Sequence, residues 1–148
     1  MIAVRKIVIV RAALLFFLVM LGCDLPRDPL RTLERARGGE LRVGVSEDPP
    51  LLVRRGEEAA GEEADLIRGF ASRIGARVRW VWGAEEKHLA MLEHHQLHLV
   101  AGGLTRSTPW MKKVAVTRPY REERVLAAPP GENAFLLELE RYLAEQRR

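Results

Sequence analysis

The sequence predicts an α/β domain with a mainly parallel sheet flanked by helices. Strand patterns and helix patterns alternate from residue 41 to residue 101, which is the signature of strands joined by helical crossovers. The 148 residues suit about one domain, and a 47% hydrophobic content is ordinary for a globular core. No internal repeat or low-complexity segment interrupts the pattern.

The elements follow in order. Leu30 to Arg37 has helical character and is stopped by Gly38-Gly39. Leu41, Val43 and Val45 alternate with polar residues, predicting a first strand with one buried face that ends in the Ser46 to Pro50 loop. Leu51-Leu52-Val53 suits a short strand, and the charged Gly56 to Gly61 segment is expected to be exposed. Leu66, Ile67, Phe70 and Ile74 recur at helical spacing within Glu62 to Ile74, and Gly75 stands where a C-cap belongs. Arg77 to Trp82 is a strand whose Val78, Trp80 and Trp82 share one face. Glu85 to Gln96 is a helix with Leu89, Met91 and Leu92 inward, and Leu97 to Ala101 is the next strand.

Thr108-Pro109 gives an N-cap and a Pro at the first helical position, opening a single turn to Lys113. Val114 to Thr117 and roughly Arg124 to Ala127 are strand candidates. After Pro129-Pro130-Gly131, residues Asn133 to Gln146 form the strongest helix, with Phe135, Leu139 and Tyr142 on one face and Leu136 and Leu143 beside them.

The formal charge of +4 and a pI near 9.7 invite a nucleic-acid reading, but the charge is unevenly placed. Arg5, Lys6 and Arg11 are three of the 24 basic residues, and no acid precedes Asp24, so the remainder carries 21 basic against 20 acidic side chains. The basic pI is largely a property of the N-terminus, and no nucleic-acid partner is expected. Behind those cations, Ala12 to Leu21 is apolar, the length of a signal-peptide h-region and short of the roughly 20 residues a bilayer span needs. Extending the run back to Ile7 places Arg11 inside it, which disfavours an uncleaved anchor. The single cysteine, Cys23, follows directly, and one cysteine in an exported chain has no intramolecular disulfide to make. Residues 1–22 are expected to be a signal peptide, residues 23–37 a tether with a short helix, and residues 38–148 one lobe.

Met20-Leu21-Gly22-Cys23 resembles a bacterial lipoprotein processing site, although Met20 and Leu21 both depart from its usual residues. That resemblance implies lipidation of Cys23 and a membrane-held, periplasmic or cell-surface protein; the alternative is cleavage further along the chain. A second resemblance rests on the Gly39 to Val45 strand, Pro49-Pro50, Gly61 with Asp65-Leu66, the Gly102-Gly103-Leu104-Thr105 turn, and Thr117 to Tyr120. In this order and spacing they resemble the first lobe of the family 3 solute-binding proteins, extracytoplasmic receptors that commonly feed polar amino-acid ABC transporters. The implied fold is a single lobe of the periplasmic-binding-protein type II kind. In the two-lobed family the chain passes from a Pro-Tyr pair into a second lobe; here Pro119-Tyr120 is followed by Arg121-Glu122-Glu123-Arg124 and then by what resembles the family's return strand and closing helix. The second lobe appears excised at a junction near residues 121–124, which a short polar turn can bridge. The alternative is an ordinary small α/β domain with a hairpin there.

The resemblance implies ligand contact by Glu47, Asp48 and Leu51 beside the first strand, and by Gly103, Leu104, Thr105 and Trp110. Thr105 stands where family members bind a ligand carboxylate. Leu51 occupies the position of a stacking aromatic, and Trp110 stands where an Arg would pair with the carboxylate, so the strongest expected contact is absent. Trp110 either lines an apolar pocket or packs its short helix down.

His88, His94, His95 and His98 are clustered, but the spacing matches no metal motif and no metal or other cofactor is expected. No catalytic signature stands out, so the chain is not expected to be an enzyme. The implied role is the solute-binding component of an ABC-type importer for amino acids or related small polar solutes. Its partners would be the solute, a permease and the membrane, with reduced binding because one lobe offers half a cleft. Homodimerisation through the open face would restore a cleft. Two alternatives stand: a degenerate or truncated relative acting as a cell-envelope interaction module, and a dehydratase-like enzyme.

Overall fold

The sheet grows outward from β1 (Glu40–Val45), whose Leu41, Val43 and Val45 are fully buried on one face. In the computed structural model, which describes residues 28–147, β1 pairs in parallel with β4 (Arg77–Trp82) on one side and β5 (Leu99–Ala101) on the other. Val43 is the pivot of the register, opposite Trp80 on one neighbour and Leu99 on the other. The segment predicted as a signal peptide and Cys23 lie outside the described residues. Beyond β5 come β7 (Ala127–Ala128) and β6 (Ala115–Val116), giving the order β4-β1-β5-β7-β6.

The sheet is mostly parallel, with one reversed strand: β7 runs antiparallel to both β5 and β6. The reversal follows from chain length. A parallel return needs a crossover of a dozen or more residues, and the link from β6 to β7 is shorter, so the chain folds straight back.

Two helices cover one face. Helix α2 (Glu62–Arg73) presents Ile67 and Phe70, and α4 (Asn133–Gln146) presents Phe135, Leu139, Tyr142 and Leu143, all against Leu41, Val43 and Val45. The rings of Phe70 and Phe135 meet edge to face at 5.6 Å and 89°. Gly69 permits the close approach of the two helices, since a Cβ there would lie 2.0 Å from the Tyr142 hydroxyl.

The opposite face carries α3 (Glu85–Glu93), whose Leu89 and Leu92 pack with Leu97, Val100, Leu104 and Val125. Gly44 of β1 makes room for it; a Cβ would come within 2.7 Å of Leu97 and 2.8 Å of His88. Helix α3 ends earlier than its pattern predicts. His95 adopts a left-handed φ of 56°, and the amides of His95 and Gln96 fold back onto Leu92 and Met91.

Four further differences separate the structure from these expectations, the last of them a helix expected to belong to a tether. Strand β2 is Val53–Arg55, displaced from the Leu51-Leu52-Val53 expected. The segment expected to be exposed contains β3 (Glu58–Ala60), which pairs with β2 across Gly56 and buries Ala59. Pro109–Lys112 is a 3-10 turn, and the Thr108 hydroxyl makes no capping bond. Helix α1 (Thr32–Ala36) is docked: Leu33 and Ala36 enter the core, and the Glu132 carboxylate accepts the amides of Leu30 at 2.9 Å and Thr32 at 2.8 Å.

His98 enters the interior just before β5. Its Nδ1 accepts the Arg42 amide at 3.1 Å while its own amide donates to the Arg42 carbonyl at 2.9 Å. An accepting Nδ1 requires the neutral ring, and the Arg42 guanidinium, 3.3 Å from Nε2, also disfavours a charged imidazole. Burial, reinforced by the Arg42 and Arg35 charges, pushes its pKa down to about 4 from the ordinary 6.5. The unfolded chain therefore binds more protons between those values, and stability should fall as pH drops from 6.5 toward 4. Urea unfolding at pH 7 and pH 5 checks this, and His98→Asn should flatten the slope.

Candidate functional site

The C-terminal ends of β1 and β5 carry the turns that build the site. After β5 the chain turns through Gly102, at φ 110°, so close to β1 that a Cβ would sit 2.2 Å from the Ser46 carbonyl oxygen. Gly103, at φ 81°, lies over the Asp48 carboxylate. Only glycine adopts these conformations cheaply, and here the close approach also demands it. Asp48 closes its own turn: its amide donates to Leu52 at 2.8 Å, and its carbonyl accepts the amides of Leu51 and Leu52.

Behind this turn lies Glu63, in the first turn of α2 and only 2% exposed. The Tyr120 hydroxyl donates to its Oε1 at 2.8 Å, and the Gly102 amide approaches the same oxygen at 3.5 Å. Its Oε2 is buried without a hydrogen-bond partner. Burial pushes the Glu63 carboxyl above its ordinary value, while Tyr120 and Gly102 pull the other way. Burial and the neighbouring Glu63 also hold the Tyr120 phenol well up, so it stays a donor.

The junction after Tyr120 is a tight turn. The Arg124 amide donates to Arg121 at 2.8 Å, the Tyr120 amide donates to Arg124 at 3.0 Å, and the Val125 amide donates to Leu104 at 3.0 Å. These bonds lay Arg124 against Thr105 and place its guanidinium on the Asp48 carboxylate, with each side chain about three-quarters buried. Arg121 pairs with Glu62 in the same turn.

The seven residues predicted for ligand contact separate into distinct environments. Gly103 lies over Asp48, and Thr105 is joined to them through Arg124, which bridges its backbone and pairs with Asp48; the Thr105 hydroxyl is 2.8 Å from that of Ser107. Glu47 is exposed and accepts the Arg54 amide at 3.0 Å, which fixes the loop. Leu51 lines a neighbouring cleft of about 460 Å³, with Leu66, Tyr120, Tyr142 and Leu143 among its other walls. The Leu104 side chain is buried in the core, so only its backbone faces the turn. Trp110 packs against the α3 side of the core, with the Lys113 ammonium 4.9 Å from its ring. Three residues of the site escaped sequence reasoning. In sequence Glu63 is one of several acids at a helix start, Tyr120 closes a Pro-Tyr pair and Arg124 ends a polar turn, so none is marked as a site residue.

An α/β lobe with glycine turns, a carboxylate and a hydroxyl gathered at its strand ends defines a small-molecule binding domain. The sequence profile of the bacterial extracellular solute-binding proteins, family 3, matches residues 41–143, and the chain belongs to that family. Membership implies an exported or periplasmic location.

Among solved structures, the arginine-bound form of domain 1 from TmArgBP is 25% identical, with a TM-score of 0.65 over 72% of this chain and 93% of that one. The arginine-bound form of truncated ArgBP from T. maritima is 27% identical, with a TM-score of 0.51 over 56% of this chain and 40% of that one. The described residues thus form one lobe of an amino-acid-binding architecture. A curated relative, membrane-bound lytic murein transglycosylase F 1 of Alkalilimnicola ehrlichii, is 30% identical over 97 residues, covering 64% of this chain. The match spans only about a fifth, 20%, of that relative's length.

Proposed function

We propose that this protein is the solute-binding component of an ABC-type importer and holds amino acids or related small polar solutes with a single lobe. The observation that carries this reading is the turn at the strand ends that lays Gly103 on Asp48 and joins Thr105 to it through Arg124, in a member of family 3. A domain of similar size, domain 1 from TmArgBP, has been solved in arginine-bound form, which supports binding by one lobe in that protein. Because one lobe covers one side of a ligand, affinity should be weaker than in an enclosing cleft. In this reading residues 38–148 are the lobe, the second lobe is excised at residues 121–124, and residues 1–22 are a signal peptide.

Calorimetry of the full chain against an amino-acid panel tests the reading. Heat with at least one amino acid, saturating at one solute per chain or one per two chains, is expected; the second ratio marks a homodimer with a shared cleft. No heat with any member, alone or with a cognate permease, overturns it. Cys23 is proposed as the lipid-carrying residue, and Cys23→Ala should move the protein from the membrane fraction to the soluble fraction. Retention in the membrane contradicts lipidation.

A second reading, a cell-envelope interaction module that holds no solute, is favoured by one observation: Arg124 already neutralises Asp48.

A further inference from the structure

We infer that Arg124 is an internal ligand of the solute site: its guanidinium occupies the Asp48 carboxylate, under Gly103, where the guanidinium of a solute would sit. The inference rests on the receptor reading and adds the chemical class of solute and a competitor built into the junction. Three observations lead to it.

Arg124 is positioned by backbone bonds that do not involve its side chain. Its amide and carbonyl close the turn with Arg121 and Tyr120, and the next amide is tied to Leu104. The guanidinium is therefore delivered to Asp48, 76 residues away in sequence, by a turn that would stand without it. The surroundings also remain acidic when Arg124 is set aside. Glu63 is buried behind Gly102 with an oxygen that has no partner; burial is the main cause raising its carboxyl, the Asp48 charge raises it further and the Arg124 charge lowers it. Finally, the subsite is reachable, since Asp48 is 24% exposed and the Gly103 backbone over it presents no side chain.

Without Arg124, Asp48 is an unpaired, partly buried carboxylate next to a buried acid, an arrangement that favours a cation. An external cation must displace a tethered one whose effective concentration is in the mM range or above. At an effective concentration of about 10 mM and an affinity of about 1 mM for either cation, such a competitor weakens apparent binding by about tenfold.

The test uses full-length wild type and Arg124→Ala, titrated with L-arginine and with L-citrulline, its isostere with an uncharged ureido side chain, with circular dichroism as the folding check. Arg124→Ala should bind L-arginine about tenfold more tightly than wild type and show no gain for L-citrulline, and adding Asp48→Asn should abolish the gain. Should Arg124→Ala fail to fold, Arg124→Gln keeps a hydrogen bond to Asp48 without the charge and is expected to show a smaller gain for L-arginine. Equal L-arginine affinity in wild type and variant overturns the internal-ligand inference and leaves the receptor reading standing. Binding of some other amino acid, with no response to L-arginine in either protein, has the same effect. Silence of both proteins toward the whole panel overturns the receptor reading itself, and the inference with it.

Discussion

Phe135→Ala is expected to cost about 3–5 kcal/mol of stability, the range for removing a buried aromatic side chain. Phe135 is fully buried between α2 and α4 and meets Phe70 edge to face, and Phe70 in turn meets Tyr142 at 5.8 Å. One substitution thus opens a cavity and breaks an aromatic pair worth about 0.5–1.5 kcal/mol beyond its area. A domain of this size is stable by about 5–15 kcal/mol, so the variant should lose a large fraction of its margin. Urea unfolding reads this as a fall in the midpoint at unchanged slope. A loss below about 1 kcal/mol would mean that this helix pair is not the centre of the core.

Gly102→Ala is expected to disrupt both the fold and the site. A Cβ would stand 2.2 Å from the Ser46 carbonyl oxygen and 2.9 Å from the Ser46 nitrogen, and both atoms are backbone that cannot rotate away. The φ of 110° adds strain of about 1–3 kcal/mol for any residue with a side chain. Relief requires the end of β1 to separate from the turn, which carries Gly103 away from Asp48 and weakens solute binding. Gly131→Ala is the control. Gly131 has a φ of 78° but nothing within 4 Å of its Cβ position, so only the conformational cost of about 1 kcal/mol applies. Equal thermal shifts for the two variants would show that the close approach to Ser46 contributes nothing.

Much of the scaffold was legible because hydrophobic periodicity is local. Leu41, Val43 and Val45 mark β1 by alternation, and Ile67 with Phe70, or Phe135 with Leu139, mark α2 and α4 by helical spacing. Elements held by other forces were not legible. Strand β3 buries little besides Ala59 and depends on the turn at Gly56. Helix α3 ends at Glu93, and His95, which turns the chain away just beyond it, has no breaker signature. The direction of β7 depends on which strand it joins, and nothing in Ala127-Ala128 encodes that.

The site divides in the same way. Gly103 and Thr105 were recognisable from their motif, and Asp48 from its place after the first strand. Leu104 belongs to the core because its turn points the side chain toward Leu97 and Val125, an orientation that a four-residue motif does not contain. Glu63 looked like an ordinary helix-start acid, since the macrodipole favours one there whether or not it is buried. Its burial depends on Tyr120, 57 residues on, and the Arg124 contact on a turn that has meaning only once the strands around it are paired. Short motifs record local backbone needs; pairings across the sheet ends do not repeat in sequence.

The central claim is that one lobe holds a small solute at the turn joining Asp48, Gly103 and Thr105. Amide NMR of the isotope-labelled full chain, titrated with an amino-acid panel, tests it most directly. Saturable shifts concentrated at Asp48, Gly103, Thr105 and Arg124, with the α3 face unmoved, are the predicted result. Shifts confined to other surfaces, or none at millimolar solute, would contradict it.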